Sequence, residues 1–428
     1  MLAYFENHYF LNKMTENKTS NRFAFIMITS LFFMWGFVHN LDPILIPHLK
    51  KAFSLSTLQA SLVDSAVFIA YFVMALPAGA IMKKYGYKAG ILTGLALFAI
   101  GSYLFIPSAN TQLYTFFLLS LFVIACGLTI LETAANPYAS LLGPPEKAVQ
   151  RLNLAQSFNG LAATLAPIIG AKIILTKGYS DAALNAMTAS ARDVALAAEA
   201  SSVKMPYLVL GSIILLIAII FYFMKLPEIK EGDGVASVSN VFHALKHRHL
   251  SWAVAAQFFY VGAQVCVFSF FILYATKAAG ISEMEAATYA GFGVGMAFMI
   301  GRFVGTFFMK FIPPVKLLMI YSLICSVLSI LAIFITGIIA VYVIIGIAFF
   351  MSIMFPTIFS LGIKDLGGDT KFGSSLIIMA IVGGALLPPL FGYISDVTQN
   401  IQMGYIVPLA CFVVIFFFGI TGYKVVKS

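Results

Sequence analysis

The chain has 428 residues, of which 61% are hydrophobic and only 10% charged, with a formal net charge of +9; its mean hydropathy is +0.96. Soluble domains carry roughly 25% charged and about 45–50% apolar residues, so this composition excludes a water-soluble globular protein and points to an all-α, polytopic membrane protein. A basic surplus suggests nucleic acid in a soluble protein, but here the distribution of charge along the chain carries the information and no nucleic-acid partner is expected.

The first 22 residues are polar and mixed in charge, and the apolar run that follows ends without a small-residue cleavage site. That run is expected to stay as an uncleaved first span. A membrane-crossing helix needs about 20 mostly apolar residues. Breaks by charge, Pro and Gly predict twelve spans, at 23–46, 58–82, 89–108, 112–138, 151–175, 205–224, 250–276, 286–309, 316–336, 338–362, 373–395 and 403–423. An outer loop at 177–204, rich in Ala and Ser, is expected to form a short amphipathic surface helix. Residues 225–249, with Glu228, Glu231, Asp233 and the run His247-Arg248-His249, read as a linker between an N-terminal half at 1–224 and a C-terminal half at 250–428. The four cysteines, Cys126, Cys266, Cys325 and Cys411, all fall in apolar segments without disulfide or zinc spacing.

Twelve spans put both termini on one side. Of the 26 Lys and Arg residues, 18 fall on the side of the termini, 7 on the other, and Arg302 inside a span. The positive-inside rule therefore predicts cytoplasmic termini; the expected location is a bacterial inner membrane. The halves also carry matching marks. Span two ends Gly79-Ala-Ile-Met-Lys-Lys84 with Lys88 beyond, and span eight ends Gly305-Thr-Phe-Phe-Met-Lys310 with Lys316 beyond. Span five holds Pro167-Ile-Ile-Gly170 and span eleven Pro389-Leu-Phe-Gly392. Corresponding marks six spans apart predict an internal repeat, and parallel six-span halves with a midplane site describe a rocking transporter.

Polar residues inside the spans carry the chemistry. Glu132 is the one formal charge between Lys88 and Glu146. It lies eleven residues before Gly143, about 16 Å along a helix, which is near mid-depth. A carboxylate there costs several kcal/mol unless paired, hydrated or protonated, so Glu132 is expected to carry a proton, bind a polar solute, or both. Asp42, alone between Arg22 and Lys50, is expected in the outer half of span one, and Asp64 begins span two. The functional reading is a proton path through Asp42 to Glu132; the alternative is structural pairing of each acid. Arg302 is either a counter-ion for one of these acids or a side chain reaching the membrane edge, and its role stays open. Neutral polar groups gather on several spans: Trp35, His39 and Asn40 on span one, Asn136 on span four, Asn153, Gln156 and Asn159 on span five, and Gln257, Tyr260 and Gln264 on span seven. Amides offer donors and acceptors that suit sugar hydroxyls, and aromatic faces suit sugar C–H faces. For any one amide the alternative is helix–helix hydrogen bonding; the set as a whole points to a polyhydroxylated solute. His39 reads equally as packing, proton shuttle or solute contact. Gly291, Gly293, Gly295, Gly301 and Gly305 in span eight suggest close helix packing.

Several segments resemble a known family. Gly79 to Lys84, with Lys88 beyond, is similar to the signature loop of the major facilitator superfamily, with Lys83 standing where that family usually has Asp. Leu131-Glu-Thr-Ala-Ala-Asn-Pro137, Arg151-Leu-Asn-Leu-Ala-Gln156-Ser-Phe-Asn159, Ala256-Gln-Phe-Phe-Tyr-Val-Gly-Ala-Gln264 and Phe355-Pro-Thr-Ile-Phe-Ser-Leu-Gly362 resemble the fucose permease type of sugar:proton symporter within it. The resemblance covers nearly the whole chain, from about Ser30 to Val425. It implies the major facilitator fold of two six-helix halves, proton-driven L-fucose uptake, alternating access, and a cavity lined by spans one, four, seven and ten. It implies that Glu132 is the family's central carboxylate and Asn40 a sugar-site amide. The family's span-one acid falls in a segment like Asn-Leu-Asn-Asp-Ile-Leu, where this chain has Asn40-Leu-Asp42-Pro43-Ile-Leu. Asp42 is therefore expected to take that role from one position earlier, a rotation of about 100° on a helix, with Pro43 able to re-aim it. Relatives sharing these motifs also take up glucose, galactose or N-acetylglucosamine. The expected partners are a sugar, a proton and the lipid bilayer, with the chain a monomer and no cofactor or metal. No nucleophile–base pairing, metal cluster or phosphate loop marks an enzyme.

Overall fold

The computed structural model describes residues 22–38, 57–111, 113–174, 186–227 and 241–425, and for 57–65, 167, 168, 170–174, 189, 193, 199, 200, 202 and 241–243 the backbone alone. His39, Asn40 and Asp42, the side chain of Asp64, the loop residues 177–185 and most of the expected linker (228–240) lie outside the described residues.

Among the described residues nine helices are long and apolar enough to cross a membrane. With their neighbours they account for the twelve expected spans. In chain order, α1 is Arg22–Val38. Next, α2 (57–85) and α3 (87–111) form one run that Gly86 breaks at φ 84°. The first half ends with α4, Tyr114–Leu141, α5, Ala148–Ile174, and α6, Lys204–Phe223. In the second half α7 is Arg248–Ser269 continued by Phe271–Ala279, and α8 is Glu283–Phe308. The last four are α9 (Pro314–Phe334), α10 (Ile338–Gly362), α11 (Gly367–Thr398) and α12 (Ile401–Gly422). The outer loop forms a surface helix at Ala189–Ser202, capped by the Thr188 hydroxyl. The turn at Gly86 uses a left-handed φ that L side chains avoid.

The ends of α2, α4, α6, α8 and α10 and the starts of α3, α5, α7, α9 and α11 share the side of the termini, called here the terminal end. Basic side chains tie these ends together. Lys88 at the start of α3 donates to the carbonyls of Tyr222 (2.7 Å) and Met224 (2.9 Å) at the end of α6. Arg151 on α5 donates to the carbonyls of Pro144 (2.7 Å) and Ser140 at the end of α4. The last carbonyls of a helix have no partner within it, and a cation there satisfies both the hydrogen bond and the helix dipole.

Contacts across the two sets of six helices run through α2 on α11 and α5 on α8. The first contact is close because Gly79 has no Cβ; one there would lie 3.2 Å from the Phe372 ring and 3.3 Å from the Lys371 carbonyl. Lys83, the residue in place of the family's acid, stands over the Phe372 ring at 4.8 Å. Lys371 stands over Tyr87 at 5.3 Å. Two cation–π contacts thus join the halves at this end. In α8, Gly301 lies against the α10 backbone at Phe349, and a Cβ there would come within 2.7 Å of the Ser352 hydroxyl. Gly291, Gly293 and Gly295 fall in a π-helical stretch, Tyr289–Gly295.

Candidate functional site

Two prolines shape the centre. Pro137 lies within α4, and Pro356 lies in α10 just past a junction at Ser352-Ile353. A proline has no N–H, so the carbonyl four residues earlier loses its helical donor. Those carbonyls belong to Thr133 and Ser352. Each is satisfied from a neighbouring helix: Thr133 O accepts from the Ser374 hydroxyl of α11 at 2.7 Å, and Ser352 O accepts from Arg302 Nε of α8 at 2.9 Å. In a bundle interior such freed groups must find protein partners, and here they recruit a cross-half latch and a buried cation.

Arg302, whose role the sequence left open, is 4% exposed. Its Nη1 donates to the Gln156 carbonyl at 2.6 Å and lies 3.4 Å from Gln156 Oε1. Its guanidinium lies 4.5 Å from the Phe298 ring centroid. Glu132 and Tyr260 are its charged and titratable neighbours. Arg302 therefore faces inward as a partner of the site and does not reach the membrane edge.

Glu132 stands on α4 with the Tyr71 hydroxyl of α2 hydrogen-bonded to its carboxyl. Its other oxygen, Oε2, is buried with no hydrogen-bond partner. Asn136, one turn along, accepts from Gln156 Nε2 at 3.1 Å, and its own amide nitrogen has no partner. Asn159, a further turn along α5, donates to Phe32 O of α1 at 3.3 Å, and Gly36 leaves the space that its side chain fills. Asn153 crosses to the second half, donating to the Thr357 hydroxyl of α10 at 3.1 Å. Gln156 and Asn159 are thus engaged in helix–helix bonds, while Gln257 and Tyr260 are different. Both are fully buried on α7, and neither end of the Gln257 amide nor the Tyr260 hydroxyl meets a partner in good geometry. Trp35 packs on Phe32 at 4.2 Å and leaves its indole nitrogen buried and unpaired. Gln264, two turns beyond Gln257, is half-buried.

The structure brings Glu132, Gln156 and Tyr260 together around Arg302 and joins Asn136 and Asn159 to them through Gln156 and α5. It adds Tyr71, Arg302 and Ser374, which sequence reasoning did not assign. The signal for Arg302 was present as a cation alone in a span. A tyrosine or serine in an apolar helix gives no comparable signal. Among the described residues no group of His, Cys, Asp and Glu could hold a metal ion.

Comparison with known proteins identifies the family and the fold. The profile of the Major Facilitator Superfamily matches residues 24–369. The L-fucose-proton symporter of Escherichia coli (strain K12) is 42% identical over 405 residues, 92% of each chain. The glucose/galactose transporter of Brucella abortus (strain 2308) is 41% identical over 416 residues, 97% of each chain. A solved structure of the superfamily transporter FucP in the outward conformation superposes with a TM-score of 0.88 at 41% identity, covering 94% of this chain and 99% of that one. The chain belongs to the major facilitator superfamily, in the group that holds L-fucose–proton symporters and glucose/galactose transporters, and is a membrane transporter rather than an enzyme.

Proposed function

We propose that the chain is a secondary active sugar:proton symporter that imports L-fucose by alternating access. The observation that carries this reading is Glu132: a buried carboxyl at the interface of the halves, with one oxygen unpaired. An unpaired buried polar atom costs about 1–3 kcal/mol, and a bare carboxylate costs more. A proton and a hydroxylated solute together relieve both costs, which couples the two. Glu132 is the proton carrier and a solute contact in this reading. Trp35, Gln257, Tyr260 and Gln264 face the solute, with Gln156 and Asn159 exchanging helix contacts for solute contacts. His39, Asn40 and Asp42 complete the site on the stretch beyond Val38, Asp42 as the outer proton acid. An exporter of apolar compounds would not need so many unpaired amide, hydroxyl and indole groups.

The two halves, 1–224 and 250–428, rock about this site on the linker 225–249. The excess of Lys and Arg on the terminal end, 18 against 7, supports cytoplasmic termini, and the membrane we propose is a bacterial inner membrane. A single chain forms the whole pathway, so a monomer suffices. A second reading, a symporter of galactose, glucose or N-acetylglucosamine, is favoured by the similarity to the glucose/galactose transporter. The test is uptake of each radiolabelled sugar into proteoliposomes under an imposed inward proton gradient. L-fucose accumulation that collapses with the gradient supports the first reading; accumulation of a hexose alone selects the second; gradient-independent equilibration of every sugar sinks both.

A further inference from the structure

The run His247-Arg248-His249 at the end of the linker has no task in the reading above. Both histidines reach the segment that joins α10 to α11. His249 is buried, and its Nε2 lies 2.8 Å from the Lys364 carbonyl. A carbonyl only accepts, so this imidazole donates through Nε2. His247 Nε2 lies 3.2 Å from Asp369 Oδ2, with the two side chains 35% and 30% exposed. The two imidazole rings stand 5.9 Å apart. The start of α7 thus holds the joining segment at two points, Lys364 and Asp369, on either side of Gly367-Gly368.

The segment needs that hold. Asp365 (φ 56°) and Gly367 (φ 53°) both take left-handed backbone, and two consecutive glycines prefer no single conformation. Beyond them α11 opens as a 3-10 turn, Gly367–Asp369, and becomes α-helical at Thr370. Asp369 makes no side-chain capping bond to that helix, and its carboxylate meets His247. The residues that follow directly are the ones that meet the first half: Lys371 over Tyr87, Phe372 under Lys83, and Ser374 on the Thr133 carbonyl. A clip on Asp369 therefore sets where three latch groups stand, and groups fixed in advance lose less freedom when they bind.

The two histidines differ in duty. His249 is an anchor that works through one N–H to a neutral carbonyl. His247 stands at the surface against a carboxylate, and a hydrogen bond between two charged groups is roughly twice as strong as a neutral one. Histidine is the side chain that ordinarily changes charge between about pH 5 and 8. The charged or titratable groups next to the pair are Lys246, Arg248 and His249 on the α7 side, Lys364, Asp365 and Lys371 on the α10–α11 side, and Lys83 and Tyr87 across the interface.

We propose that His247 is a positioning residue that makes the latch answer to acidity at the terminal end: its protonation tightens the clip on Asp369, steadies the start of α11 and keeps the terminal end shut. The inference rests on the reading that the chain carries protons with its sugar toward that end. Protons delivered there shift the population away from the state open to that side, so import slows as its own product accumulates. Partly exposed ion pairs are weak, and the expected effect is roughly two- to five-fold.

The experiment uses the full chain, purified and reconstituted, with spin labels on cysteines replacing the exposed Lys147 and Lys310 at the terminal ends of α5 and α8. The population with the long label distance is measured without sugar from about pH 8 to about pH 5.5, in the wild type and in H247Q, which keeps a donor and takes no charge. Whatever Glu132 contributes is common to both proteins, so the ratio of H247Q to wild type isolates His247. The ratio is expected near one at the higher pH and to rise roughly two- to five-fold at the lower. D369N is expected to follow H247Q. H247R carries a fixed charge and is expected to show the smaller open population at every pH. Uptake of L-fucose and D-galactose at constant external pH should show the same rise in the ratio when the side of the termini is acidified. A distance ratio that stays level with pH overturns the inference even if D369N and H247R do not fold. So do equal open populations in H247Q and H247R at every pH, which would make His247 a packing group. A distance ratio that rises as expected in a protein that moves no sugar supports the clip and overturns the transport reading.

Discussion

The bonds that join the halves toward the terminal end and the polar groups around Glu132 and Tyr260 differ in how they are paired. Toward the terminal end the halves bond to one another: Asn153 to Thr357, Gln150 to Thr306, Ser374 to the Thr133 carbonyl, Lys83 over Phe372 and Lys371 over Tyr87. Beside these bonds, Glu132 Oε2, the Asn136 amide nitrogen, both ends of Gln257 and the Tyr260 hydroxyl are buried without a hydrogen bond in good geometry, whereas the orphans nearer the terminal end are Asn153 Oδ1 and the hydroxyls of Ser140 and Ser360. A bundle that needed stability alone would have paired both sets alike, since an orphaned polar group is as costly in one as in the other. The difference separates a latch from a site. The latch holds one conformation by contacts that can break one at a time, and the site keeps bonding capacity for a solute and a proton.

Substitutions in the two sets break or sharpen this contrast. The largest effect is expected at Glu132: E132Q should lower gradient-driven sugar accumulation by about 10²-fold or more, the scale of a lost proton-transfer group, and uptake assays in proteoliposomes measure it. Next, Q257L should weaken sugar binding about tenfold, the loss of roughly one hydrogen bond. Because the amide is orphaned, the same change should leave thermal stability unchanged or raise it. Calorimetric binding together with a thermal melt reads both, and a marked loss of stability would move Gln257 from the site to the scaffold. In the latch, S374A orphans the Thr133 carbonyl and should shift the conformational balance toward terminal-end opening by about 1 kcal/mol, seen as faster labelling of a terminal-end cysteine. The smallest effect is expected at Lys83. K83Q removes one cation–π contact of about 0.5–1 kcal/mol and should raise the same labelling rate only two- to five-fold. A K83Q effect larger than that of S374A would place the latch nearer the membrane edge than the hydrogen bonds suggest.

Hydropathy and charge made the helical architecture readable, because a bilayer permits few ways to satisfy a backbone. The lone charge at Glu132 and the amides on spans four, five and seven stood out for the same reason. What the sequence withheld was pairing. Arg302 and Gln156 are 146 residues apart in the chain and Ser374 and Thr133 241 apart, and no periodicity brings such residues together. The prolines held a clue that went unused. Pro137 and Pro356 each free a carbonyl four residues earlier, and those two carbonyls are where Ser374 and Arg302 bind. Sequence also could not divide the amides by duty. Gln156 and Gln257 look alike in composition, yet one is tied to Asn136 and Arg302 while the other is unpartnered.

The central claim is that Glu132 couples sugar to proton, and the most direct measurement is the pH outside deenergised proteoliposomes when sugar is added. L-fucose, D-galactose, D-glucose and N-acetylglucosamine are supplied in turn to the wild type and to E132Q. The account predicts external alkalinisation with at least one of these sugars in the wild type and none in E132Q, although E132Q still binds that sugar. Sugar entry without a pH change in the wild type, or equal alkalinisation in E132Q, would contradict it.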